Sequence, residues 1–319
     1  MRSPFFLTLF RRFSIVSQNE MIGRYPMKKY LIILLILALL LCGCAPREHA
    51  DIAATTLPMW QFTCRITEGT GLTVTRLVTE SVSCLHDYTL TVGQMKAIEG
   101  AHVVVMSGAG LEEFLADALG DAPVIDAAAG IPLLEGGHHH HHEGEEPHEE
   151  DHHHEHDPHL WLSPAHAMDQ ARNICAGLSA VYPEFASIFE ENLAGLLADL
   201  QALEDYGRRE LADLSSREIV TFHDGFAYLA HAFDIEIVEA IEEESGAEAS
   251  AKELIHLIEE VRHHDIRAIF VEENGSGSAA SIIAAETGAN LSSLSMAMSG
   301  DDYFSAMYAN IDSLKEALQ

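Results

Sequence analysis

From residue 52 onward, apolar residues fall into two kinds of run that take turns along the chain. Short runs rich in Val, Ile and Thr predict strands at 52–57, 73–78, 102–106 and 124–126. Between them the apolar positions recur at helical spacing: Trp60, Phe62, Cys64 and Ile66 in a helix closed by Gly69, then helices over 92–98 and 111–119, the last entered through a turn at Gly108–Gly110. A polar stretch interrupts the alternation at 136–157. Helical patterning resumes where Ser163 can cap a helix that Pro164 opens, with Met168, Ala171, Cys175, Leu178 and Val181 on one face up to residue 182. Pro183 opens a second helix, in which Phe185, Phe189, Leu193, Leu196, Leu200 and Leu203 recur up to about Leu214. Such a helix would be roughly 45 Å long at 1.5 Å per residue, enough to act as a spine. The alternation then starts again, with strands at 219–222, 235–240, 266–271 and 290–294 and helices at 226–233, 251–262, 279–287 and 302–318.

Repeated strand and helix imply parallel βαβ units with helices on both faces. The expected fold is α/β with two lobes, each a mostly parallel sheet flanked by helices, joined by a long rigid helix. The expected division is a first lobe at 44–182 that includes the polar loop, a linking helix at 183–214, and a second lobe at 215–319. The glycine turn at 108–110 lacks both the lysine of a phosphate loop and a full dinucleotide fingerprint.

The amino terminus is set apart by its pattern. Lys28 and Lys29 precede an apolar run at 30–41 that suits a signal peptide and is short for a bilayer span. It ends in Leu41-Cys42-Gly43-Cys44, which resembles a bacterial lipobox with Cys44 as the lipid-modified residue. Residues 1–43 are therefore expected to be a signal peptide, with Met27 a better-placed start, and the protein to be extracytoplasmic and anchored to the bacterial cell membrane. In that compartment Cys64 and Cys84 can form a disulfide, while Cys175 falls on an apolar helix face and reads as core.

Charge narrows the partners. The 319 residues carry a formal net charge of −32, which argues against nucleic acid and suits cations. Eleven of the 20 histidines lie between His138 and His159, interleaved with Glu143, Glu145, Glu146, Glu149, Glu150, Asp151, Glu155 and Asp157. No apolar residue interrupts them, so the segment is expected to be a mobile loop. Its composition points to transition-metal binding through imidazole and carboxylate. A solubilising acidic spacer is the plainer reading.

Three histidines, the last of those eleven and two others, fall where open parallel sheets bind ligands, beyond the carboxyl ends of strands. His86 follows the strand at 73–78, His159 leads into the Ser163-Pro164 helix start, and His223 directly follows the strand at 219–222. Taken singly, each is equally well a hydrogen-bonded loop histidine. His102, His166 and His231 read as strand or helix residues, and His263-His264 close a helix at its negative dipole end. There is no HExxH, so a secreted zinc metallohydrolase is a weaker alternative; a metal buffer built on the loop is another.

The motifs LHDYTL at 85–90, DPHLWLSP at 157–164 after a His-rich acidic loop, FHDGFAY at 222–228 and the lipobox together resemble the substrate-binding lipoproteins of bacterial zinc ABC importers. The resemblance covers essentially the whole mature chain. It implies a monomeric, non-catalytic receptor that captures Zn2+ between its lobes and delivers it to an ABC permease and its ATPase subunit. By it His86, His159 and His223 match the metal histidines, and a manganese or iron receptor is the alternative within the class. One departure stands out. The family often places a carboxylate after the last strand of the second lobe, where this chain reads Leu294-Ser295-Met296. The fourth ligand is left to water, Glu273 or Glu243.

Overall fold

The computed structural model describes residues 49–80, 85, 88–135, 156–240, 250–273 and 277–319. Its first sheet is built from β1 (Ile52–Ala54), β2 (Val74–Arg76), β3 (Val103–Met106) and β4 (Val124–Asp126), all parallel, in the order β2-β1-β3-β4. The second uses β5 (Glu218–Thr221), β6 (Glu236–Ala240), β7 (Ala268–Glu272) and β8 (Asn290–Leu294), also parallel, in the order β6-β5-β7-β8. The two sheets thus repeat one topology. In each, the first and third strands sit in the middle and are the most buried, as parallel strands covered on both faces require.

Helices α1 (Leu57–Ile66), α2 (Val92–Gly100) and α3 (Pro164–Val181) belong to the first lobe. Helix α4 (Ala186–Glu210) follows, and α5 (Ala227–Ala232), α6 (Ala251–His263), α7 (Ser278–Thr287) and α8 (Tyr303–Leu318) belong to the second. Helix α4 packs against α1, α3 and α8. Its buried stripe of Phe189, Leu196, Leu200 and Leu203 is part of one apolar cluster that runs from Ile52 in β1 to Leu318 in α8. Near its end Gly207 lies so close to Phe233 that a Cβ would fall 2.2 Å from the ring, which closes α4 onto the second lobe.

The two-lobed parallel fold is as expected, and three boundaries differ for local reasons. The strand expected over 52–57 stops at Ala54, because Thr56-Leu57-Pro58 opens α1 with Pro58 in its first turn. The helix expected over 111–119 is a 3₁₀ turn at Glu113–Leu115. There Ala109 and Gly110 take left-handed backbone angles, and Glu112 turns inward to accept hydrogen bonds from Thr55 Oγ1 (2.7 Å), Ser107 N (2.7 Å) and Gly108 N (3.0 Å). The helix expected from Pro183 to Leu214 begins as a 3₁₀ turn at Pro183–Phe185 and is α-helical over Ala186–Glu210, roughly 37 Å at 1.5 Å per residue. Cys175 is buried among apolar side chains, as expected. Cys64 carries a free thiol whose pKa burial raises to about 11, and Cys84 is outside the described residues.

Candidate metal centre

In the second sheet, β5 and β7 are the neighbours from which the chain winds in opposite directions, the position where open α/β sheets form a ligand crevice. His223 emerges there. Phe222 N still donates to Phe270 O (2.9 Å), so His223 stands one residue past the last ladder bond, and its side chain is buried. Glu272, at the end of neighbouring β7, is also buried and lies at the same level, since Thr221 pairs with Phe270.

His159 approaches from the first lobe on a tightly held segment. Asp157 Oδ1 accepts from His159 N (2.8 Å) and pairs with the ring Nδ1 (2.7 Å), both residues being buried. Asp157 N in turn donates to Leu134 O (3.1 Å). A 3₁₀ turn at Leu160–Leu162 follows, and then Ser163 caps α3, whose first residue is Pro164. Two hydrogen bonds tie this turn to the second lobe. Trp161 Nε1 donates to Met296 O (2.7 Å), and Tyr303 Oη donates to Trp161 O (2.7 Å). The DPHLWLSP segment therefore fixes His159 relative to both sheets.

The result is a pair of imidazoles from two lobes. The rings of His159 and His223 have centroids 5.8 Å apart and planes at 78°. Two histidines sharing one tetrahedral zinc at 2.0–2.1 Å would place their centroids about 5 Å apart, so a small closure suffices. With Nδ1 engaged by Asp157, Nε2 of His159 is the nitrogen left for a metal, the carboxylate–histidine arrangement that fixes tautomer and ring orientation. Gly225 completes the packing. A Cβ there would lie 2.8 Å from both Cδ2 and Nε2 of His223 and 2.7 Å from Met296 Cε. The chain turns back against the ring of its own histidine, at a distance that leaves no room for a side chain without a shift.

His86 and Asp87 lie outside the described residues, as do Cys44, Glu243 and the His-rich stretch 136–155. Leu85, beside His86, is buried in the first lobe's core. Glu273 is exposed, its N donating to Leu294 O (2.9 Å). The Leu294-Ser295-Met296 segment, where the resemblance leads to an acid being expected, receives a first-lobe donor at Met296 O from Trp161, and two residues on Leu57 N donates to Met298 O (3.2 Å). Asp157, Gly225 and Glu272 are the residues that sequence reasoning did not single out. The Asp-x-His spacing could have revealed the first, since an aspartate accepts readily from a backbone N–H two residues on.

With this geometry in view, the comparisons with known proteins are decisive. A family model described as zinc-uptake complex component A, periplasmic (ZnuA), matches residues 52–317. The chain belongs to the ZnuA family. The zinc-binding lipoprotein AdcA of Streptococcus pneumoniae is 33% identical over 308 residues, which cover 91% of this chain and 61% of that relative. The chain thus spans about three-fifths of the length of that curated relative. The high-affinity zinc uptake system protein ZnuA of Bacillus subtilis is 31% identical over 284 residues, covering 85% of this chain and 88% of the relative. Among solved structures, the Zn(II)-bound ZnuA-like domain of Streptococcus pneumoniae AdcA superposes with a TM-score of 0.70 at 29% identity, covering 85% of this chain and 99% of that one. The resemblance drawn from the LHDYTL, DPHLWLSP and FHDGFAY motifs is borne out at the level of the family and the fold.

Proposed function

We propose that this protein is an extracytoplasmic zinc receptor, tethered to the cell membrane through Cys44, that captures Zn2+ between its lobes and hands it to an ABC permease driven by an ATPase subunit. His86, His159 and His223 are the metal ligands, with Glu272 a nearby carboxylate at the same strand end. The protein acts as a monomer and catalyses no reaction. The signal peptide occupies 1–43, the lobes 44–182 and 215–319 with the linking helix between them, and the His-rich stretch binds transition metal through imidazole and carboxylate.

The observation that carries this reading is the buried pair of imidazoles from opposite lobes, one oriented by Asp157. Nitrogen donors favour zinc over manganese, which prefers oxygen-rich sites. The reading is consistent with what the relatives are named for, zinc binding and zinc uptake.

The test is His159→Ala. Zinc affinity measured by competition with a chelator should fall by at least about 100-fold, since the loss of a ligand exceeds the 10–100-fold typical of an outer-shell change. Far-ultraviolet circular dichroism should stay unchanged. A variant that competes for zinc as the parent does would overturn the assignment.

A further inference from the structure

A second group of metal-binding side chains lies at the other end of the second sheet. Helix α6 closes with Glu259-Glu260-Val261-Arg262-His263, and His264-Asp265 follow it in a turn. Glu260 is three residues before His263 and four before His264, so each histidine stands beside Glu260. One donor atom from each falls within 4.8 Å of the others. The helix is held to its last turn by His264 N donating to Glu260 O (3.0 Å), and Asp265 then reverses the chain with a φ of 51°. Ile266 N returns to Val261 O (2.9 Å), which fixes where the two histidines stand.

The surroundings single this group out from an ordinary charged helix end. Nε2 of His264 lies 3.5 Å from Glu260 Oε2, while Nδ1 of the same ring lies 3.8 Å from Glu218 Oε2 on β5. The imidazole is thus bracketed by carboxylates on both nitrogens. Two ligands of a tetrahedral zinc with bonds of about 2.1 Å stand about 3.4 Å apart, close to the Nε2–Oε2 separation. At 3.8 Å Glu218 lies just outside hydrogen-bond reach of Nδ1, and a shift of under 1 Å by either side chain would let it take Nδ1–H and leave the Nε2 lone pair facing Glu260 and His263, the relation that orients metal-bound histidines elsewhere. The one cation within the sequence, Arg262, is drawn away to α7, donating to Glu286 O (2.7 Å). The negative end of the α6 dipole adds to the attraction for a cation.

We infer that Glu260, His263 and His264, oriented by Glu218, form a second, solvent-facing site for a late divalent transition metal such as Zn2+ or Ni2+, separate from the interlobe cleft. Two nitrogens and one carboxylate oxygen suit those ions over Mg2+ or Ca2+. Separation follows from the topology. Glu218 begins β5 and His223 lies just past its end, so the strand's length stands between the two sites. The remaining coordination positions face water, which makes this a readily exchanging site of lower affinity than one closed between lobes.

The test is crystallographic and uses the mature protein. Crystals soaked in zinc at micromolar to millimolar concentration should give an anomalous peak at the zinc edge between the three side chains, at roughly 2.0–2.2 Å from each donor atom. His263→Ala with His264→Ala should abolish that peak and reduce by one the zinc equivalents retained in equilibrium dialysis. Both positions are exposed, so the fold should survive. Glu218→Gln should keep all three ligands and weaken the site by about 10-fold. His159→Ala should leave the peak in place. No peak at millimolar zinc overturns the site. A peak unaffected by Glu218→Gln overturns the orienting role, and one lost with His159→Ala overturns the separation from the cleft.

Discussion

Gly225→Ala is the most informative single change at the cleft. Its backbone angle lies outside the left-handed region, so alanine adds no conformational strain, only one methyl group. That methyl would sit 2.7 Å from Met296 Cε and 2.8 Å from Cδ2 and Nε2 of His223. The methionine end is flexible and can swing aside. The imidazole is rigid, buried, and bounded by the rings of His159 at 5.8 Å and Phe226 at 6.3 Å. To restore an ordinary contact it must move by at least about 0.6 Å, whereas ligand distances at a working metal site hold to about ±0.2 Å. A displaced ligand of this kind should weaken zinc binding by 10–100-fold, or about 1.4–2.7 kcal/mol. Overpacking should also cost the metal-free protein about 1–3 kcal/mol. Two measurements separate these effects: chelator competition for zinc, and urea unfolding of the metal-free protein. Gly195→Ala is the control. It is an exposed α4 residue with nothing within 4 Å of its added Cβ, so it should raise stability by about 0.5–1 kcal/mol and leave zinc affinity alone. If Gly225→Ala lowers stability yet binds zinc as the parent does, His223 is a packing residue and the ligand set is wrong.

Asp157→Ala removes the oxygen that holds Nδ1 and the backbone N of His159, and should weaken zinc by about 10–100-fold while all three histidines remain; unaltered chelator competition would refute the orienting role. Glu112 gives a stability profile. Burial raises its pKa to about 7 against the pull of Thr55, Ser107 and Gly108, so the folded state holds its proton more tightly than the unfolded chain does. Its contribution is complete below the ordinary carboxylate value and is lost as pH rises toward 7, by up to about 3 kcal/mol. Urea unfolding of the parent and of Glu112→Gln should therefore differ in pH dependence across that window, and parallel curves would count against it. Cys44→Ser should move the protein from the membrane to the soluble fraction on cell fractionation, because lipid chains at that residue are the proposed anchor; retention in the membrane would rule the anchor out.

Alternation of β-branched runs with helical spacing made both parallel sheets legible from the chain alone, because strands buried on both faces must read as short apolar blocks. What escaped is set by tertiary contacts. The pattern Leu111-Glu112-Glu113-Phe114-Leu115 is a plausible helix, but its glutamate is recruited to backbone donors at the ends of β1 and β3, and the local spacing carries no trace of that demand. Asp157 belongs by composition to an acidic loop, yet in the fold it is a buried partner of His159. Gly225 looks like a turn glycine, and its role is visible only once the ring of His223 is seen against it. His263-His264 read as a favourable helix end; Glu218, forty-five residues or more away, is what changes their meaning.

The repeated topology also explains why the cleft is asymmetric. Each sheet has a switch point between its first and third strands, and each could offer a ligand crevice there. In the first lobe that crevice is filled by the lobe's own Glu112, whose carboxylate takes up the amides of Ser107 and Gly108 and the hydroxyl of Thr55. These three donors are taken up within the lobe. The first lobe therefore contributes through its flanking loops, and His159 is such a loop residue, held by Asp157 and by Trp161's bond to Met296 O. In the second lobe the corresponding crevice holds His223 and Glu272 at adjacent strand ends. One lobe closes its switch point and reaches across; the other presents its switch point to be reached. A continuous apolar core through α4 keeps the two in register, so that the imidazoles of His159 and His223 stand with their centroids 5.8 Å apart.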